Sequence, residues 1–422
     1  MRAHHDGNRP RHERTLQGNI AGRAGGECAQ LLRPGATSPD VIILGAGILG
    51  ITLAWNLTRL GLVPLVIDPG AVAGGTTGAS FAWANASTKT GDAAYHRLNA
   101  AGVAAYGQLC AEFGARALGI SRTGALQVVR TSDAPGHAAM LRDLEILTGF
   151  GYPVSLLSPG ELGALEPGLA LPPDAEALHL PADLVVDAPH FTRFLTARMI
   201  EVGGSLLHAR PATLIADDTG RVSGVETDQG RHLAANVVLA TGKDTGQVLA
   251  DLTGHAPFAR RFPLRQVPGL ILTTPTLTGA DLAHVLYTST TDELHILPTG
   301  TGALRIGSDD VDALIWDDRS PEALHTAGAA LLARASRILP ALAGLNPAAC
   351  DLRIGIRPYP EDGKTIIGPL PGADGLMLMA THSGITLAPV LGRLLAGWIS
   401  SGNRPEALAP FGLERFAGFQ AG

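Results

Sequence analysis

At 422 residues with a formal net charge of -6, the chain offers no basic field for gripping a phosphate backbone, which argues against a nucleic-acid partner. A composition 45% hydrophobic and 17% charged excludes a disordered or fibrous protein, and the length is enough for two or three domains' worth of core. The three cysteines, Cys28, Cys110 and Cys350, form no C-x-x-C pair, so neither a zinc site nor a disulfide framework is expected, and a reducing, cytoplasmic setting fits.

Residues 1–39 carry six arginines, three histidines and no apolar core segment, and read as a disordered leader or a start codon placed too early. Order is expected from Asp40, where "DVIILGAGILGITLAWNLTRLGLVPLVID" parses as a buried strand, a glycine turn, an apolar helix to about Leu60 and a second strand ending at Asp68. Gly45, Gly47 and Gly50 follow a strand and open a helix, the context that lifts G-x-G-x-x-G above a chance match. Glycines there let backbone N–H groups approach a pyrophosphate at the positive helix end. Asp68, eighteen residues past Gly50, is placed to accept hydrogen bonds from ribose hydroxyls, and its charge disfavours NADP.

The following loop, "AGGTTGASFAWANASTK" over 73–89, is dense in N–H and O–H donors and suits a polar ligand. A helix is expected over 92–116, a strand from Gly124, and a short capped helix over 158–168. Beyond 184 a helix precedes three short alternating strands and an apolar strand, Val237 to Ala240, that runs into a second glycine turn at Thr241 and Gly242. Residues 260–316 read as strands and 321–338 as an amphipathic helix. In "LRIGIRPY", 352–359, alternation puts Leu352, Ile354 and Ile356 on one face of a strand and Arg353, Gly355 and Arg357 on the other. The apolar stretches 41–55 and 384–399 end or break at Asn56 and Arg393, so no transmembrane segment is expected.

Four features in this order and spacing resemble the D-amino acid oxidase family of FAD enzymes, which includes glycine oxidase, sarcosine oxidase and the D-amino acid dehydrogenases. They are the N-terminal fingerprint, the loop "GASFAWANAS", the strand end "VVLATG", and the pair "GIRPYPEDGKTIIGP" with "THSGITLAPVLGRLLAGWI". The match runs from about Asp40 to Ser401. It implies an α/β fold in which a discontinuous Rossmann-like FAD-binding domain (40–125, 184–250 and 350–412) alternates with an α+β substrate domain (126–183 and 251–349) built on a mostly antiparallel sheet. The resemblance assigns Gly45, Gly47, Ile48, Leu49 and Gly50 to the cofactor turn, and Ser80, Ala84 and Asn85 to the flavin or ribityl chain. It further assigns Ala212 to the adenine, Thr241 and Gly242 to the pyrophosphate side, and Gly384, Ile385 and Thr386 to the flavin carbonyl.

The chain departs from the family pattern in three places. Asp68 stands where Glu is commoner, "THSG" replaces "GHGG", and Ala84 follows Trp83 where relatives with covalently held flavin have His. Cys350 also precedes the arginine motif, so noncovalent FAD is expected. The implied activity is oxidation of the C–N bond of a small amino acid, with oxygen or an electron carrier as acceptor and Arg357 taking the substrate carboxylate through parallel hydrogen bonds. Gly355 beside it is expected to leave room for the ligand; the other reading of Arg357, and the main one of Arg353, is a structural ion-pair partner. His382 has two readings, assistance at the flavin or helix capping; Tyr287 likewise is a carboxylate donor or a core tyrosine. Lys243 and Lys364 read as solvated charges, no catalytic side chain is certain, and an oligomer is compatible. An NAD-dependent dehydrogenase, or a flavin-binding subunit of a heteromeric amino acid dehydrogenase, remains as an alternative at this point.

Overall fold

The computed structural model describes residues 38–250, 262–288 and 293–417. Residues 1–37 of the leader therefore lie outside the described residues, as does the start of the second substrate segment at 251. The first βαβ unit follows the expected pattern, with strands Val41–Leu44 and Pro64–Asp68 on either side of the helix Ile48–Arg59. These strands form the centre of a six-stranded sheet. Its order is Ile366–Pro369, Leu376–Ala380, Asn236–Leu239, Val41–Leu44, Pro64–Asp68, Ser205–His208, parallel except at the first pair.

Both faces of this sheet are covered, which is why its central strands are apolar throughout rather than alternating. Val41, Ile43 and Val66 pack against the helices Ile48–Arg59, Ala188–Glu201 and Gly384–Ser401. Ile42, Leu44, Leu65 and Ile67 pack on the other side against Val222 and Val225 of a small antiparallel sheet over 213–233.

A second sheet has eight strands in the order Asp351–Pro360, Leu264–Thr273, Leu304–Gly307, Leu294–Pro298, Val285–Thr288, Ala125–Arg130, Ala175–Leu180, Ser155–Leu157. Every pairing is antiparallel except Val285–Thr288 with Ala125–Arg130. Its back face buries Leu270, Leu272, Leu304 and Ile306 under Ala327, Leu331 and Leu332 of the helix Pro321–Ile338. The expected pairing of a dinucleotide domain with a mostly antiparallel substrate sheet is therefore present.

Three local expectations need correction. The arginine strand Asp351–Pro360, assigned by sequence to the last FAD segment, pairs over ten residues with Leu264–Thr273 and forms an edge of the substrate sheet. Ser205–His208, not expected as a strand, is an edge strand of the six-stranded sheet. Val311–Ile315 is a 3-10 turn rather than strand.

Candidate active site

The carboxyl ends of the four parallel strands Val41–Leu44, Pro64–Asp68, Asn236–Leu239 and Leu376–Ala380 open into one cavity of about 340 Å³. Connections leave the central strand in one direction and its neighbour in the other, and such a switch point is where doubly wound sheets bind ligands. The cavity is lined by Gly45, Gly47, Ile48, Leu49, Asp68, Ser80, Ala212, Thr241, Gly242, Gly384 and Ile385, all expected cofactor residues.

Gly45 turns the chain with φ +112°, and a Cβ there would lie 2.4 Å from the Ala240 carbonyl oxygen, so only glycine fits. The helix it feeds has Gly47 at its N-cap with no capping side chain, which leaves first-turn N–H groups available to an anion. Thr77 holds the turn by accepting from the Ile48 N–H at 3.1 Å. Asp68 is anchored by the N–H groups of Ala46 and Gly70, each at 2.7 Å.

Gly384, at the start of the C-terminal helix, opens a second uncapped N-terminus on the same cavity. Its position is set from behind. Pro389 inside that helix has no N–H for the Ile385 carbonyl, and the Tyr106 hydroxyl donates to that oxygen instead at 2.6 Å.

Four expected residues are not part of the lining. Gly50 is required for helix packing, since a Cβ would meet the Gly45 carbonyl oxygen at 2.0 Å. Thr386 accepts from the buried Asn85 N–H, and Ala84 is fully buried in the short strand Trp83–Ala84. Conversely Arg210 and Lys243 line the cavity without having been expected there; Thr76 and Thr77, from the loop read as suited to a polar ligand, and His382, one of whose two readings lay at the flavin, line it as well. Lys243, read as a solvated charge, follows Gly242 directly into the lining; adjacency to a glycine turn was the available signal. Lys364 pairs with Asp92.

The donor set fits FAD on this structure's own terms. Two open helix ends suit a pyrophosphate, with Arg210 and Lys243, paired to Asp228 and Asp244, at the rim; the fixed Asp68 carboxylate suits a ribose, and the buried Nδ1 of His382 has no partner among the described residues. Ala84 has no nucleophilic side chain, and Cys350 packs with Leu352 and Ile354 on the back of the substrate sheet. Cys110 and Cys350 are both free thiols.

On the front of the substrate sheet, beside the His382 end of the cavity, lies a polar cluster that sequence reasoning identified only in part. His382 stacks on Tyr359 (4.5 Å between centroids, 25°) two residues beyond Arg357. Burial pushes His382 down to about 3, reinforced by the positive charges of Lys89 and Arg357, so the ring is neutral. His295 stacks on Tyr287 at 4.8 Å and lies near Phe81 and Trp83; burial lowers it to about 4.

Arg357 is turned into this cluster, but it is not free. Its Nη1 donates to Asp309 at 2.8 Å, and its Nη2 donates to Asp312 at 2.7 Å and to the Pro268 carbonyl at 3.1 Å. Its Nε is buried with no partner among the described residues. Asp312 is 6% exposed and also accepts the Leu270 N–H at 2.7 Å, and burial raises its carboxyl to about 7. Arg353 points outward to Asp351 and is 61% exposed, so it plays no part here.

The room expected at Gly355 is also taken. A Cβ there would lie 2.1 Å from the Ala79 carbonyl oxygen, so the glycine admits the FAD loop rather than a ligand. Thr76 seals the same contact by donating to the Ile356 carbonyl at 2.6 Å.

The loop over 83–89 is tied down by Asp183, a fully buried carboxylate that sequence did not single out. It accepts from Trp83 Nε1 (3.0 Å), Ser87 Oγ (2.7 Å) and the Tyr152 hydroxyl (2.7 Å). Burial raises it to about 7. Lys89, whose ammonium is lowered by burial, feels the charges of Asp183 and Asp309.

A parallel sheet that opens on two uncapped helix ends, joined to an antiparallel sheet carrying a polar pocket, defines a dinucleotide-binding protein of the two-domain flavoprotein type. The chain belongs to the FAD-dependent oxidoreductase family, whose model matches residues 40–398. It is 31% identical over 305 residues to the D-amino acid dehydrogenase of Cereibacter sphaeroides (strain ATCC 17023), a match spanning 70% of this chain but only 65% of that relative, less than two thirds of its length. It is 26% identical over 393 residues to the glycine oxidase of Geobacillus kaustophilus, covering 90% of this chain and 97% of that protein. The solved structure of glycine oxidase from Geobacillus kaustophilus superposes with a TM-score of 0.74 at 23% identity, over 90% of this chain and all of that one. The family's cofactor is FAD, which displaces the NAD-dependent alternative. Among the described residues no helix is long and apolar enough to cross a membrane.

Proposed function

We propose that this protein oxidises the C–N bond of a small amino acid, D-configured, glycine or N-methylated, with noncovalent FAD. The observation that carries the reading is a guanidinium, Arg357, on the face of the substrate sheet beside the His382 end of the cavity. Two named relatives support it, one a D-amino acid dehydrogenase and the other a glycine oxidase. When bound, FAD supplies the two-electron acceptor for a hydride from the carbon that bears nitrogen.

The chain's own residues do the rest. Arg357 takes the substrate carboxylate and so fixes which hydrogen faces the cofactor. Gly384 and Ile385 present backbone N–H groups and the positive end of a helix to the charge that accumulates during transfer. His295 and His382 stay neutral near neutral pH, so neither adds a competing charge. The substrate, having lost a hydride from carbon and a proton from nitrogen, becomes an imine that water hydrolyses to a keto acid or aldehyde. Either oxygen or an electron carrier is a fitting final acceptor, and the scarcity of cysteine suits a cytoplasmic setting.

An anaerobic bleaching screen of the FAD-loaded protein tests this reading. Loss of the visible flavin bands with D-amino acids, glycine, sarcosine or proline derivatives is the expected result. Full retention of the bands with all of them would overturn the substrate class.

A further inference from the structure

Arg357 meets two carboxylates of opposite character. Asp312 is fixed: it is 6% exposed, and one of its oxygens is held by the Leu270 N–H while the other accepts from Nη2. Asp309 is 61% exposed, and its hydrogen bond to Arg357 is made to Nη1 alone. With both Nη2 hydrogens donating to Asp312 and Pro268 and Nε buried, Nη1 is the part of the fork an incoming carboxylate can reach, and Asp309 stands on it.

We infer that Asp309 is a built-in competitor for the substrate's carboxylate: it occupies Nη1 of Arg357 in the free protein and is displaced when an amino acid binds, while Asp312 keeps its place on Nη2. This rests on the reading of Arg357 as the carboxylate anchor. The exchange swaps one carboxylate for another on the same cation, so the guanidinium is never left unpaired beside Asp312. It also sets specificity, because a ligand without a carboxylate has nothing to trade for Asp309. Asp309, 61% exposed, can swing toward solvent when it is released.

The test is calorimetric titration of the FAD-loaded protein with acetate, the smallest carboxylate, and with methylammonium as a control without one. Asp309→Asn should tighten acetate about fivefold, the worth of an exposed ion pair, and leave methylammonium unchanged. Asp309→Glu should restore the wild-type value. A merely structural Asp309 would give weaker or unchanged acetate binding in Asp309→Asn, and either result overturns the competitor role. Acetate binding that survives Arg357→Ala would instead overturn the anchor reading itself. Retained flavin absorbance in each variant shows that the cofactor domain is intact.

Discussion

Replacing Gly355 by alanine perturbs the contact between the two sheets at one atom. The added Cβ would stand 2.1 Å from the Ala79 carbonyl oxygen, whereas ordinary contact begins near 3.4 Å, so the loop must withdraw by 1.3 Å or the arginine strand must move. The strand is paired over ten residues with Leu264–Thr273 and is the stiffer partner, so the loop should yield. Withdrawal strips Thr76 from the Ile356 carbonyl and shifts Gly74, Gly75, Thr76, Thr77 and Ser80, which line the cofactor cavity. Overpacking of this kind costs about 1–3 kcal/mol. If the loop position is part of the FAD site, that loss corresponds to roughly a 5- to 150-fold weaker cofactor. Titrating apoprotein with FAD and following flavin fluorescence measures it, with a thermal melt to separate cofactor loss from unfolding. An alanine variant that binds FAD as tightly as wild type and melts at the same temperature would refute the claim that Gly355 exists to admit the FAD loop.

Tyr106→Phe should leave the Ile385 carbonyl without a donor, because Pro389 supplies none, at a cost of about 1–3 kcal/mol in denaturant unfolding; an unchanged midpoint would show that another donor serves this oxygen. Asp183 has its folded pKa raised from 3.8 to about 7, so the unfolded chain releases this proton first and the contribution to stability falls as pH rises from about 4 to 7. Over three pH units that is of the order of 4 kcal/mol. Wild type should therefore lose its advantage over Asp183→Asn as pH rises through this window, and a difference that grows with pH would contradict the assignment. His382 behaves oppositely: with its folded pKa depressed from 6.5 to about 3, its contribution is lost as pH falls below 6.5. His382→Gln should blunt acid destabilisation between pH 6 and 4, and an unaltered acid limb would show that His382 is already charged there.

The cavity proposed to hold the cofactor was legible in the sequence because its chemistry is local. Gly45, Gly47 and Asp68 lie on one βαβ unit, where a turn glycine, a helix start and a strand end follow one another along the chain. The helix Pro321–Ile338 was legible for the same reason, with Ser320 capping one end and an apolar stripe along its length. The surroundings of Arg357 were not. Asp309 and Asp312 reach it from 48 and 45 residues away across paired strands, and nothing local marks either as its partner. Asp183 likewise gathers Trp83 and Ser87 from about a hundred residues upstream, and its role exists only once the chain has closed on itself. Gly355 was misread because a glycine beside an arginine suggests an open site, whereas the space is filled by backbone from another segment.

The most direct measurement is the amino acid concentration that half-bleaches FAD-loaded Arg357→Gln under anaerobic conditions, compared with wild type. Loss of a charge-assisted carboxylate pair costs about 3 kcal/mol, so the concentration should rise roughly 150-fold while the flavin spectrum before titration is unchanged. Half-bleaching at the wild-type concentration by the same amino acid would contradict the anchoring of substrate at Arg357.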